Sequence, residues 1–198
     1  MTRTCEHCRK PLAIMARAHA HTCSPRCRKA LSRMKARQTP AIPAELTTRD
    51  RWVRYSARKV PLTTAGTPAS STDPGTWTSY STAARSTAGA GLGFVLAGDG
   101  IVCIDLDHCL AADGTLETWA ADIVAQSGAT YTEVSPSGAG LHIWGRADVR
   151  HGRRIRRPGG LAVEVYGTGR YITMTGRRHG ACPSTLADLS ALVTALTQ

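Results

Sequence analysis

The 198-residue sequence predicts an α+β or mixed α/β fold in which a small cysteine-rich module precedes a larger domain. Two observations support this. Four of the seven cysteines fall within the first 27 residues, and from residue 50 onwards strand and helix patterns interleave irregularly. We therefore divide the chain into a module at 1–37, a linker at 38–49 and a larger domain at 50–198.

The cysteines of the module have the spacing of metal ligands. They form the pattern C-x2-C-x14-C-x3-C, made by Cys5, Cys8, Cys23 and Cys27. Two close pairs of thiolates separated by a loop suit a tetrahedral, structural Zn²⁺ site. Because so short a segment cannot build its own core, we expect metal binding to supply its folding energy.

A basic helix follows the second cysteine pair. Ser24 is a good N-cap and Pro25 suits the first helical position, and the helix is predicted to continue to Arg37. Small zinc modules with a basic helix often contact nucleic acid, so Arg28 and Lys29 are expected to bind it. A purely structural or protein-binding module is the alternative.

The larger domain contains alternating signals for strands and helices. Strands are predicted at 51–55, 93–96, 101–107, 131–135, 141–144, 161–166 and 170–174, with a short extended piece at 59–62. Helices are predicted near 77–84, at 116–126 and at 184–196, and a basic loop at 150–157.

The most informative feature is a pair of acids at the end of the apolar strand 101–107. Asp105 and Asp107 are two residues apart, so their side chains point to the same face. Two neighbouring carboxylates repel each other, and burial raises this cost. A divalent cation removes it, and hard oxygen ligands suit Mg²⁺ or Mn²⁺. A strand end at which both aspartates simply reach solvent is the alternative.

A Ser-Gly-rich turn at 136–140 leads into the strand that carries His142. The backbone N–H groups of such a turn can bind phosphate, with Ser137 and His142 as additional donors. Most turns of this composition are only hairpin turns, which is the alternative here.

Glu164 is an isolated acid inside the apolar run 161–166. A buried acid needs a partner. A cation shared with the two aspartates would provide one, and an ion pair with Arg170 is the alternative.

The charge of the chain is unevenly distributed. Residues 1–59 carry 15 Lys/Arg and 3 acids, residues 60–149 carry 2 and 9, and residues 150–198 carry 8 and 2. Clustered basic residues on both sides of an acidic segment indicate nucleic-acid binding. The late basic run is expected to contact template or primer phosphates through Arg153, Arg154, Arg156 and Arg157. A solvated, charged loop is the alternative.

Nothing in the sequence indicates a membrane or secreted protein. No apolar stretch approaches the length of a membrane span, and the N-terminus lacks a signal-peptide core. The three remaining cysteines are scattered, which argues against a disulfide framework. We therefore expect a soluble, cytoplasmic protein with no membrane partner.

Three motifs together resemble a known family. They are Ile-Asp-Leu-Asp-His at 104–108, Ser-Pro-Ser-Gly-Ala-Gly-Leu-His at 135–142, and Glu-Val-Tyr-Gly-Thr-Gly-Arg-Tyr-Ile-Thr-Met-Thr-Gly at 164–176. In this order they resemble the bifunctional DNA primase/polymerase (prim-pol) domain of the archaeo-eukaryotic primase superfamily, over roughly residues 50–180. The resemblance implies an RRM-like antiparallel sheet that carries the catalytic acids and is flanked by helices.

The resemblance also implies roles for particular residues. Asp105, Asp107 and Glu164 would hold the catalytic cations, and His142 would contact nucleotide phosphate together with the turn residues Ser137 and Gly138. Arg170 would lie near the triphosphate. The third acid is Glu here, whereas many members have Asp.

The function expected from the resemblance is DNA-dependent priming or polymerisation by two-metal nucleotidyl transfer, in the replication of a phage, plasmid or integrated element. It would use Mg²⁺ or Mn²⁺, a single-stranded DNA template, and ribo- or deoxynucleoside triphosphates, with a separate replicative helicase as a further partner. The main alternative is a non-catalytic, zinc-containing DNA-binding protein of replication or regulation. A nuclease or a sugar transferase would also use paired acids, but neither explains the phosphate-binding turn and the basic surface together.

Overall fold

The computed structural model describes residues 3–13, 15–17, 20–38, 42–157 and 161–198, and only the backbone at 32–38, 157 and 161. The chain divides into two compact units, Met1–Pro40 and Ala41–Gln198. Among the described residues, no helix is both long and apolar enough to cross a lipid bilayer.

The first unit consists of a looped segment followed by helix α1 (Pro25–Gln38). Cys5 and Leu12 are its buried apolar residues among those described. The backbone N–H of Cys27 donates to Ser24 Oγ at 3.2 Å, so Ser24 begins the helix as the sequence predicts.

The second unit contains the remaining elements. Its helices are α2 (Ala44–Thr47), α3 (Tyr80–Arg85), α4 (Thr118–Gln126) and α5 (Ser190–Thr197), with a 3₁₀ turn at Pro74–Thr76. Its strands are β1 (Trp52–Tyr55), β2 (Pro61–Leu62), β3 (Gly91–Ala97), β4 (Ile101–Asp107), β5 (Thr132–Val134), β6 (Leu141–Arg146), β7 (Arg153–Arg157), β8 (Leu161–Tyr166), β9 (Thr168–Met174) and β10 (Ala187–Asp188).

The strands of the described chain form two sheets. One has four strands in the order β2-β1-β3-β9, and the other has the order β10-β6-β4-β8-β7 with β5 also paired to β6. The pairs are antiparallel except for β10 with β6, which is parallel. This mixture of helices with antiparallel sheets confirms the predicted α+β class.

The two faces of β4 show how the layers are arranged. Val102, Ile104 and Leu106 belong to a buried cluster with residues of helices α4 and α5. Ile101 and Cys103 point the other way and join a second cluster with residues of the four-stranded sheet. Asp105 and Asp107 continue that second face, so the fold directs both carboxylates to the side on which the two sheets meet.

One predicted loop is wrong. The basic run at 150–157 contains strand β7, which pairs with β8 at the edge of the six-stranded sheet. Ile155 is the one apolar residue of the strand, and it packs against the helix-facing cluster. The arginines on both sides of it hide the alternation by which strands are recognised in sequence.

Three other boundaries differ from the sequence prediction. Within the predicted linker, residues 44–47 form helix α2, and Leu46 is fully buried with its carbonyl accepting from Trp52 Nε1 at 3.1 Å. The last helix begins at Ser190, because residues 187–188 pair with β6. The helix predicted near 77–84 begins at Tyr80, where Ser79 caps it.

Candidate active site

The six-stranded sheet places five polar or charged side chains in one row. Strands β5, β6, β4, β8 and β7 contribute Glu133, His142, Asp105, Glu164 and Arg154, each directly opposite the next. Residues opposite one another on neighbouring strands point to the same face. The register therefore brings together three of the four predicted catalytic residues, although they come from distant parts of the sequence.

A second row, two residues further along the strands, contains the other aspartate. Asp107 is opposite Ala162, which is opposite Arg156. Because side chains two apart on a strand point the same way, Asp107 and Arg156 share the face of the first row. Arg153 points to the opposite face and lines a separate cavity beside helix α5.

The electrostatics of Asp105 favour a cation. Its side chain is 21% exposed, and its Oδ1 is a buried oxygen with no hydrogen-bond partner. Burial raises the pKa of Asp105 to about 6; His142 opposes this shift, while the carboxylates of Asp107 and Glu164 add to it. A divalent cation stabilises an oxygen that is buried, accepts no hydrogen bond and lies close to other acids.

Glu164 is held by two neighbouring side chains. Its Oε1 lies 2.7 Å from Arg154 Nε, and its Oε2 accepts from the Tyr166 hydroxyl at 2.5 Å. Arg170 in turn donates to the Tyr166 hydroxyl at 2.8 Å and lies over its ring. The direct ionic partner is thus Arg154, and the sequence-based alternative of a direct pair with Arg170 is wrong, because Tyr166 stands between Glu164 and Arg170.

The turn before β6 is shaped by its glycines. Gly138 has a positive φ of 80°, and a Cβ on Gly140 would lie 2.6 Å from the Leu106 carbonyl oxygen. The Gly138 N–H donates to Ser135 O at 3.0 Å, so this group is already used within the turn. Ser137 is exposed, and its hydroxyl lies 2.9 Å from that of Ser135 at the edge of the cleft.

The His142 ring is held between two carboxylates. It is 3% exposed, with Nδ1 3.2 Å from Glu133 Oε1 and Nε2 3.7 Å from Asp105 Oδ1. Of the two ring nitrogens, Nε2 is therefore the one beside the aspartates.

These groups line a cleft of about 540 Å³ between the two sheets. The six-stranded sheet contributes the acids and His142. The four-stranded sheet and its loops contribute Arg170, Tyr171 and Lys59, the last held by a hydrogen bond from the Tyr171 hydroxyl to its carbonyl oxygen. The cleft thus places acids on one wall opposite basic side chains on the other, as a bound cation together with an anionic ligand would require.

The cysteine cluster of the first unit is the tightest group of potential metal ligands. Among the described residues, Cys5, Cys8, Cys23 and Cys27 form the single group of three or more whose donor atoms all lie within 4.8 Å of one another. Sulfur atoms around a tetrahedral Zn²⁺ are about 3.8 Å apart, given Zn–S bonds of about 2.3 Å. The measured Sγ separations of 3.5 Å between Cys8 and Cys23 and 3.6 Å between Cys23 and Cys27 are close to that value.

The pKa values of two thiols in this cluster are shifted in opposite directions. The backbone N–H of Cys8 lowers the pKa of Cys5 to about 6, whereas the side-chain hydrogen bond with Cys8 raises the pKa of Cys23 to about 12. The thiols hydrogen-bond to one another, and a bound Zn²⁺ would replace their protons. The cluster therefore fits the predicted structural zinc.

The predicted nucleic-acid contacts have different surroundings. Arg28 and Lys29 are exposed on α1 in the first unit, and Arg156 is exposed on the site face of β7. Arg154 is engaged with Glu164, and the side chain of Arg157 lies outside the described residues.

Sequence reasoning missed two residues that touch the predicted ones. Tyr166 lies two residues after Glu164 on the same strand, so alternation alone puts it on the same face. Glu133 faces His142 across the hairpin, and counting outwards from the turn at 135–140 pairs the two residues. Both could therefore have been found from the sequence.

Comparison with known proteins identifies the family. The family described as bifunctional DNA primase/polymerase, N-terminal, matches residues 30–190. The chain belongs to this family. A protein named DNA primase-polymerase, from Nitratiruptor phage NrS-1, is 39% identical over 133 residues, which cover 63% of this chain and 18% of the phage protein. The prim-pol family to which the sequence motifs point is thereby confirmed, and it is a family of nucleotidyltransferases.

Proposed function

We propose that this prim-pol domain is a DNA-dependent primase/polymerase that joins nucleotides by two-metal transfer at the cleft between its sheets. The observation that carries the proposal is the row of Asp105, Glu164 and His142 on adjacent strands, with Asp107 on the same face. A protein that only binds DNA has no need to bury Asp105 beside other acids, because their repulsion lowers its stability.

The residues proposed to hold the cations are Asp105, Asp107 and Glu164. Mg²⁺ or Mn²⁺ bound there would lower the pKa of the attacking 3′-hydroxyl and stabilise the negative charge on the α-phosphate in the transition state. The unpaired, buried Oδ1 of Asp105 supports this assignment. For Glu164 to join the set, it must exchange Arg154 for the cation, because Arg154 now contacts its Oε1.

The nucleotide is proposed to lie against the opposite wall and the turn. Arg170 and Ser137 would donate to the β- and γ-phosphates, and His142 Nε2 would contact the triphosphate beside Asp105. Gly138 contributes the conformation of the turn, since its N–H is used internally. Holding the phosphates in this way would place the α-phosphorus in line with the 3′-hydroxyl.

We further propose that the domain copies single-stranded DNA in the replication of a phage, plasmid or integrated element, with a separate helicase opening the duplex. The support is the similarity to the DNA primase-polymerase of Nitratiruptor phage NrS-1 and the exposed basic residues Arg28, Lys29 and Arg156. The cysteine cluster is proposed to hold a structural Zn²⁺.

The test is incorporation of labelled nucleotides on single-stranded DNA, with and without a primer, in Mg²⁺ and in Mn²⁺. The comparison is between wild type and Asp105→Ala/Asp107→Ala. We expect incorporation by wild type and a loss of more than about 10³-fold in the variant, since bound cations supply several kcal/mol of transition-state stabilisation.

Product formed without a primer would establish priming as well as extension. Absence of incorporation under every condition, with DNA binding intact in wild type and variant alike, would instead favour the non-catalytic DNA-binding protein.

A further inference from the structure

Glu133 is a fully buried acid to which the proposed reaction so far assigns no role. It is 0% exposed and lies on β5, between the apolar layers. A carboxylate in such a place is costly unless donors surround it. Its neighbours show what it is arranged to do.

Three hydrogen-bond donors hold the Glu133 carboxylate in place. Its Oε2 accepts from Gly176 N at 2.7 Å, from the Tyr131 hydroxyl at 3.0 Å and from Thr175 N at 3.2 Å. Burial raises the pKa of Tyr131, so its hydroxyl keeps its proton and remains a donor. The carboxylate is therefore rigidly held. Its Oε1 shares the Thr175 N–H at 3.3 Å and lies 3.2 Å from His142 Nδ1.

The contact between Glu133 and His142 determines which ring nitrogen of His142 carries the hydrogen. An ionised carboxylate can only accept hydrogen bonds, so the Nδ1 that faces it must carry a hydrogen. This leaves Nε2, 3.7 Å from Asp105 Oδ1, as the ring nitrogen that faces the cleft. The register Glu133–His142–Asp105 across three strands makes this orientation a property of the sheet.

We propose that Glu133 is the positioning residue of the active site: it fixes the hydrogen on Nδ1 of His142 and presents Nε2 to the nucleotide. The inference deepens the proposed nucleotidyl transfer and rests on it for its consequence in catalysis. Replacing a carboxylate that orients a functional histidine typically lowers affinity or activity by about 10- to 100-fold. We expect a loss of the same order here.

Glu133→Gln is a sharp test because the amide has a predictable orientation. Its oxygen should stay at the Oε2 position, because Gly176 N and the Tyr131 hydroxyl donate to Oε2 alone, whereas Thr175 N lies between the two oxygens. The NH₂ should then face His142. An NH₂ group can only donate, so Nδ1 must lose its hydrogen and the ring must carry it on Nε2.

The first readout is the ¹⁵N NMR spectrum of His142 in the full chain, assigned with His142→Ala and recorded without nucleotide. We expect a hydrogen on Nδ1 in wild type and the Nε2–H tautomer in Glu133→Gln. A neutral wild-type ring that carries its hydrogen on Nε2 overturns the proposal, and this result does not require the protein to be active or the variant to fold.

The second readout is steady-state nucleotide incorporation. We expect Glu133→Gln to lower kcat/KM for the nucleotide by about 10- to 100-fold, and to have no further effect when combined with His142→Ala. Glu117→Gln, an exposed acid at the start of α4, is the matched control and should behave as wild type.

Additive effects of Glu133→Gln and His142→Ala would show that Glu133 acts only on the fold, and would overturn the proposal. Wild-type protein that shows the expected tautomer but never incorporates nucleotide would count against the proposed function while leaving the Glu133–His142 geometry established.

Discussion

The cysteine cluster and the carboxylate row both gather potential metal ligands, but the chain holds them in different ways. In the first unit, Cys5 and Leu12 are the buried apolar residues among those described, so little besides the ligands themselves can hold the loops. In the six-stranded sheet, Asp105 projects from a strand whose other face is packed against helices. In the first case metal would organise the chain, whereas in the second the chain positions the ligands beforehand.

The two sites also differ in the side-chain contacts that their acidic groups make. The thiols hydrogen-bond to one another, which raises the pKa of Cys23 to about 12. The carboxylates cannot do this, and Glu164 is instead neutralised by Arg154. The difference implies that removing metal should unfold the first unit while leaving the six-stranded sheet folded.

The largest expected effect is on the first unit. Chelation of zinc, or Cys27→Ala, should remove the protection of the amides in α1, since structural zinc supplies about 10–16 kcal/mol in small modules. Hydrogen exchange and the zinc content of the chain measure this. Strands β4 and β6 should remain protected.

Cys182→Ser is the matched control for this experiment, because Cys182 lies in the larger unit outside the cluster. Amides of α1 that stay protected in chelator would show that the first unit folds without metal and would remove the contrast between the two sites.

The second effect is the loss of stability that the buried, ionised Asp105 causes. Its pKa is raised to about 6 from 3.8, so the native state binds this proton more tightly than the unfolded chain does. Without metal, the free energy of unfolding should therefore fall as pH rises from about 4 to about 6. Asp105→Asn should remove that slope and stabilise the protein at neutral pH by at most about 3 kcal/mol, while abolishing incorporation.

Urea unfolding in a chelating buffer at several pH values measures the effect, with Asp122→Asn on the exposed face of α4 as control. Saturating Mn²⁺ should weaken the wild-type slope, because the cation favours the ionised form. An Asn variant that is less stable than wild type at neutral pH would contradict the assignment of Asp105 as a strained ligand.

The smallest expected effect is on DNA binding, and it differs between the two faces of β7. Arg156 shares the face of the acids, whereas Arg153 lies on the other side of the same strand. Arg156→Ala should weaken binding of single-stranded DNA and reduce by about 1 the slope of log K against log salt. Arg153→Ala should leave both unchanged. Fluorescence anisotropy over a salt series measures this, and equal losses in the two variants would mean that the strand contributes only general charge.

Local patterns were enough to predict part of the site. The spacing of Asp105 and Asp107 on an apolar strand predicts that their side chains share a face. The hairpin turn predicts that His142 lies near the start of the next strand. The contact of Arg154 with Glu164 could not be predicted in this way, because it requires β7 to be recognised as a strand and its register to be known. The position of Lys59 in the cleft depends on a hydrogen bond with Tyr171, 112 residues away in sequence.

Strand β7 has one more consequence, for self-association. It lies at the edge of the six-stranded sheet, and an edge strand offers unpaired backbone groups to which a second chain can add. Four of its five residues are arginines, and positive charge along an edge opposes pairing with an identical strand. The charge that suits this edge for a polyanion would therefore also keep copies of the protein from joining sheet to sheet, and polyphosphate or DNA that neutralises it would relax that protection.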